Sequence, residues 1–170
     1  MTAFLLSQII IGFAAFFDLL SFQFKERKKI IVCFVFAVIL IAIHFALLEQ
    51  WTAAGLMALA AVRYITSLFT TSRQMVVLFS ISSLVVTYFT YAGFISLISC
   101  TASLFQNAAA FSKEDKQLRQ FMILATSCWI VHNIIIGSPT AVLLELLFIT
   151  SNLVGYYRYY VKTPKEIAEA

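Results

Sequence analysis

The sequence predicts an all-α polytopic membrane protein, with seven transmembrane helices arranged as two parallel three-helix repeats joined by a connector helix. Three observations lead there. Of 170 residues, 62% are apolar and only 12% are charged, whereas soluble domains average roughly 45–50% apolar and about 25% charged. The mean hydropathy is +0.94. The basic residues gather in a few short gaps between apolar runs, and the chain matches itself at a spacing of 88 residues.

A hydrocarbon core about 30 Å thick takes about 20 residues per helix, so seven spans use about 140 residues and leave about 30 for connections. The first run, 3–21, follows a start (MTAFLLSQ) without a basic residue, so it does not read as a cleaved signal peptide and is expected to stay as the first span. The second, 29–48, begins in the basic group Lys25, Arg27, Lys28 and Lys29 and ends before Glu49. The third, 51–70, carries Arg63 and closes at Arg73. The fourth, 74–92, is separated from the fifth, 94–110, by Gly93 alone. The sixth, 117–136, follows Lys113 and Lys116, and the seventh, 139–160, follows the turn at Gly137.

Charge places these spans. Eleven of the twelve basic residues follow helices 1, 3, 5 or 7 and fall on one face; the connections near Glu49, Gly93 and Gly137 carry none. The positive-inside rule then puts the C-terminus in the cytoplasm and the N-terminus outside. Without helix 4 the two main basic loops would lie on opposite faces.

At the spacing of 88, helices 1, 2 and 3 align with helices 5, 6 and 7 without a gap. Lys25 and Glu26 match Lys113 and Glu114, Lys28 matches Lys116, Thr52 and Ala53 match Thr140 and Ala141, and the only two histidines, His44 and His132, coincide. An odd connector between three-helix units makes the repeats parallel. The chain divides into a first repeat, 1–73, a connector helix, 74–92, a second repeat, 93–161, and a cytoplasmic tail, 162–170.

Several functions are excluded by size. Loops of a few residues hold no nucleotide fold, zinc finger or DNA-reading helix, so the net charge of +4 is not a nucleic-acid signal. Cys33, Cys100 and Cys128 lie inside apolar runs without metal-ligand spacing and read as buried thiols. No metal, no cofactor and no enzymatic activity is expected, because catalytic pairings and a phosphate-cradling glycine loop are missing from the pattern. The expected partners are the lipid bilayer and a small polar solute, with a homo-oligomer left open.

Ionisable groups at membrane depth cost about 2.5–3.5 kcal/mol each on insertion scales and mark functional sites by default. Arg63, Asp18 and Glu145 qualify. Arg63 and Asp18 are expected to differ in depth by about 4.5 Å, within reach of an ion pair, and Glu145 sits nearer the outer face. A buried pair that only orients helices is the structural alternative. His44 and His132, near the outer ends of helices 2 and 6, either face a central pathway or bond a loop carbonyl. Asn133 and Asn152, with Asn107, Gln8 and Gln106, add amides that line a path or join helices. Tyr156, Tyr157, Tyr159 and Tyr160 mark the cytoplasmic interface.

Residues 128–152, CWIVHNIIIGSPTAVLLELLFITSN, resemble the bacterial inner-membrane YgjV family in Cys128, Trp129, His132, Asn133, Gly137, Ser138, Glu145 and Asn152. The resemblance extends over most of the chain, including the basic run after helix 1, His44 with Phe45, and Arg63. Related sequences can carry an asparagine where this chain has Ala60. The resemblance implies an inner-membrane location and no particular activity. More distantly the plan is similar to SWEET and PQ-loop transporters, which place a hinge proline in the first helix of each bundle. This chain has only Pro139 and Pro164, so gating by proline kinks does not carry over, although Gly12 loosens helix 1.

The expected function is therefore a small-solute transporter or facilitator with its site between the bundles, lined by Arg63, Glu145, Asn152, His44, His132 and Asn133. Vitamin-like, nucleoside-like and sugar solutes all remain open. The competing expectation is a non-transporting receptor or assembly factor built on the same plan.

Overall fold

The computed structural model describes residues 2–21, 24 and 26–161. Lys25 and the predicted tail, 162–170, with Lys162, Pro164 and Lys165, lie outside the described residues. Seven helices and no strand occur among the described residues: α1 Ala3–Ser21, α2 Arg27–Leu47, α3 Trp51–Ser67, α4 Arg73–Phe89, α5 Phe94–Ala110, α6 Asp115–Ile135 and α7 Pro139–Tyr160.

Every predicted helix is present, and the differences at the ends have local causes. α3 stops three residues early because the Ser67 hydroxyl bonds the Tyr64 carbonyl and the next amides close three-residue turns. α4 stops at Phe89, where the Thr90 hydroxyl donates to the Val86 carbonyl. α6 starts at Asp115, ahead of its apolar run, since a carboxylate in the first turn suits the helix dipole.

The doubtful division between α4 and α5 is real. Gly93 has φ 97°, a conformation open to glycine but costly for other residues, and it turns the chain between the two helices. The α2–α3 and α6–α7 turns share a left-handed residue: Glu49 at φ 58° in one and Gly137 at φ 68° in the other.

α1, α6 and α7 are long and apolar enough to cross a membrane; the apolar stretches 31–47, 73–89 and 94–110 are shorter. At 1.5 Å per residue, 17 residues reach about 25 Å, a few ångströms under the usual hydrocarbon thickness. Modest bilayer thinning accommodates such a mismatch.

Polarity runs from the inside outward. Phe13, Phe16, Val62, Leu84, Ile134 and Val154 are exposed on the outer surface, while Ser7, His44, Ser83, Ser99, Asn107 and Asn133 are fully buried. Lipid tails are as apolar as leucine, so helix association in a bilayer rests on close packing and interhelical hydrogen bonds. The buried alanines Ala14, Ala37, Ala53, Ala102, Ala125 and Ala141, each no more than 1% exposed, let the backbones approach closely.

Neighbour relations close into a ring. α1 packs on α2, α2 on α3, α3 on α5, α5 on α6, α6 on α7, and α7 returns to α1. α4 stands outside, against α3 and α5 only. A ring of six helices encloses an axis, and the functional candidates lie around it.

Candidate functional site

Hydrogen bonds at one end of the ring fix the helices in register. The Thr52 hydroxyl (α3) contacts the Ser96 hydroxyl (α5) at 2.8 Å and donates to the Thr90 carbonyl at 2.7 Å. Eleven residues further along each helix, the Arg63 guanidinium donates through Nη1 to Asn107 Oδ1 at 2.7 Å. That matched spacing shows why a single register satisfies both pairs. A longer bond, 3.4 Å, joins Arg63 Nη2 to Gln106 Oε1. Asn107 Nδ2 in turn donates to the Ser83 hydroxyl of α4 at 3.1 Å, which tethers the outlying helix to the arginine.

The opposite seam, between α1 and α7, is joined at the same end. Gln8 accepts from the Thr140 amide at 3.2 Å and donates to the Ser138 hydroxyl at 3.2 Å. His44 lies against the same serine. Its Nδ1 donates to the Ser7 carbonyl at 2.9 Å, which leaves Nε2 to accept from Ser138 at 3.3 Å. His132 instead packs its ring against Phe45 and Trp129, with centroids 5.3 Å from each. Phe45 and Trp129 stack across the axis at 5.5 Å and 22°. The two histidines and this stack lie together at that end of the ring.

Below the stack lies a cavity of about 340 Å³. Of the six residues expected at the site, Arg63, Glu145 and Asn152 line it, together with Asp18, Gln106, Tyr64 and Arg119. Thr126 and Ser151 add hydroxyls, and apolar walls come from Phe34, Val38, Ile41, Met57, Met122 and Phe148, among others. Three side chains of the lining hold buried polar atoms without a hydrogen-bond partner among the described residues: Asp18 Oδ2, Arg63 Nε and Trp129 Nε1.

The cavity does not include His44, His132 or Asn133. His44 serves as a bridge between α1, α2 and the α7 N-terminus, and Asn133 lines a separate, shallow hollow with Gly137, Ser138 and Pro139. No ion pair joins Arg63 to Asp18 or Glu145 among the described residues; amide oxygens hold the guanidinium instead.

Arg119 lines the cavity although charge counting groups it with the basic residues that follow helix 5. It stands on the first turns of α6, paired with Asp115 at 2.7 Å and with its carbonyl bonded by Asn152 Nδ2 at 2.9 Å, at the cavity's far end. The four-residue spacing from Asp115 is a helical ion-pair signal that was available in the sequence. Trp129 and Tyr64 carry no such signal, because a buried aromatic in an apolar run looks like ordinary packing.

A family model described as "Bacterial inner membrane protein", Imp-YgjV, matches residues 5–163. The chain is 24% identical over 166 residues to "Inner membrane protein YgjV" of Escherichia coli (strain K12), covering 94% of this chain and 87% of that protein. No solved structure matches.

Proposed function

The chain belongs to the YgjV family of bacterial inner membrane proteins, and from that premise we propose that it is a small polar-solute transporter or facilitator whose binding site is the cavity between two three-helix units. The observation that carries this reading is the internal symmetry of the cavity lining. At the 88-residue spacing, Asp18 corresponds to Gln106, Val38 to Thr126, Ile41 to Trp129, Met57 to Glu145, Arg63 to Ser151 and Tyr64 to Asn152, and all of these line the one cavity.

Further support for two parallel repeats comes from the elements. α2 and α6 begin and end 88 residues apart, and so do the starts of α3 and α7. The left-handed residues Glu49 and Gly137 are also equivalent. Residues identical in both repeats pack in the core: Ala14 with Ala102, Ala53 with Ala141, Leu56 with Leu144. The inter-unit seams, α3 with α5 and α1 with α7, are each other's equivalents. A cavity on such an axis suits alternating access, in which one bundle rocks against the other around a fixed site.

In this reading all seven helices span the membrane, the N-terminus is outside, and the cavity extends towards the cytoplasm past Arg119. Reporter fusions after Arg73 and Lys116 are both expected to read cytoplasmic; opposite readings would remove α4 as a span and the parallel repeats with it. Function is tested by a thermal-shift screen of polar metabolites, followed by uptake of each stabilising compound into proteoliposomes. Faster uptake than in protein-free vesicles supports transport. Stabilisation by compounds that never cross favours a receptor on the same plan.

A further inference from the structure

We propose that the cavity takes an amine: a solute with a protonated nitrogen and a hydrogen-bond acceptor on an aromatic or aliphatic body. This rests on the reading of the cavity as a solute site and names the class of solute. Charge is divided unevenly around the ring. Asp18 on α1 and Glu145 on α7 belong to one seam, whereas Arg63 on α3 belongs to the other, with its partners Asn107 and Gln106 on α5.

The repeats make the asymmetry plain, because each charge has an uncharged counterpart. Asp18 corresponds to Gln106, Glu145 to Met57 and Arg63 to Ser151. One seam is acidic and its equivalent is basic.

Depth follows from the seam contacts. Gln8 meets Thr140, and Asp18 lies ten residues beyond Gln8 while Glu145 lies five beyond Thr140. At 1.5 Å per residue the two carboxylates stand about 7 Å apart along the axis. On the other seam Arg63 is eleven residues beyond Thr52, a step similar to that of Asp18. Acid and base therefore face the cavity at nearly one level, and a second acid stands above them near Trp129.

The balance of charge favours a cation. Arg119 is already engaged by Asp115 at 2.7 Å, and two amide oxygens already meet the Arg63 guanidinium. Among the described residues lining the cavity, two carboxylates therefore face one remaining cation, Arg63. An ionised carboxylate buried without a partner is costly, and a ligand that brings a positive charge to Asp18 or Glu145 removes that cost. It also brings an acceptor for Arg63 Nε and Trp129 Nε1, donors that have no partner among the described residues, as Asp18 Oδ2 is an acceptor that has none there. Asp18 is 5% exposed, Arg63 2% and Trp129 1%. The aromatic walls, Phe34, Tyr64 and Trp129, suit an organic cation through their ring faces.

The test uses three probes with one aromatic body: tyramine, tyrosine and 3-(4-hydroxyphenyl)propionate, each titrated against the full-length protein in nanodiscs. Tyramine is expected to bind at least about tenfold more tightly than the propionate, with tyrosine no weaker than the propionate. Asp18→Asn is expected to weaken tyramine about tenfold or more and to leave the propionate unchanged. Equal or tighter binding of the propionate would overturn the proposal, and so would failure of tyramine to bind at millimolar concentration. The wild-type panel decides this even if the variant fails to fold. Tyramine binding without uptake would defeat transport and leave the amine site standing; uptake of an anionic solute by a protein that binds no amine would do the reverse.

Discussion

Arg63→Ala is expected to abolish solute binding and uptake while the protein still inserts, folds and purifies. Arg63 lines the cavity, is 2% exposed, and its Nε has no partner among the described residues. Truncating one member of a buried hydrogen-bonded charge contact costs about 2–5 kcal/mol of binding, at least about thirtyfold in affinity. Stability is expected to change less. No carboxylate pairs with Arg63 among the described residues, so the variant leaves no stranded anion from a broken salt bridge. It leaves two amide oxygens, of Asn107 and Gln106, at about 1–3 kcal/mol for each that finds no donor. Asn107 remains tied to Ser83. Removing a desolvated charge offsets part of that loss. Thermal melting and vesicle uptake on the same preparation check the two effects. A folded variant with full activity would make the arginine a structural tether of α3, α5 and α4.

Phe45→Ala is expected to cause the largest loss of stability of any single truncation. Phe45 is 2% exposed, stacks on Trp129, meets the His132 ring edge-on and lies 5.1 Å from the His44 ring. It belongs to the core cluster that joins α2, α3, α5 and α6. Aromatic-to-alanine changes in cores cost about 3–5 kcal/mol, and in a bilayer the loss is chiefly of contacts. Phe45→Leu, which keeps most of the volume, is expected to lose less than half as much. Melting temperatures of the two variants in one detergent check the ratio.

How much of this was legible in the sequence follows from its physical origin. Helices were legible because apolar runs must satisfy their backbone internally, and even the division at Gly93 was marked by the one residue suited to φ 97°. Arg63 and Glu145 were legible as site candidates, and Asp18 as an ionisable group at similar depth, because charge within the membrane has few other places to go. Their partners were not. Depth arithmetic brought Arg63 near Asp18, yet seam packing sets the neighbours, and α3 meets α5 rather than α1. The guanidinium accordingly meets Asn107. His44 and His132 coincide at the 88-residue spacing but differ in environment, since His44 bonds the Ser7 carbonyl and the Ser138 hydroxyl, whereas His132 packs its ring against Phe45 and Trp129 and lies 3.4 Å from Asn133 Oδ1. Identity of residue type cannot convey that difference.

A solute passage through the cavity requires access to it from both faces of the membrane. Thr126 lines the cavity from α6 and is 4% exposed. With Cys33, Cys100 and Cys128 replaced by alanine, Thr126→Cys is to be labelled with a membrane-impermeant thiol reagent, once in spheroplasts and once in inside-out vesicles. The account predicts labelling from both sides, faster from the cytoplasmic side, where the Phe45–Trp129 stack and the Gln8–Ser138–His44 contacts do not intervene, and slowed on both by a bound solute. Labelling from the cytoplasmic side alone, under conditions where the protein is in its native bilayer, would contradict it and make the cavity a dead-end pocket.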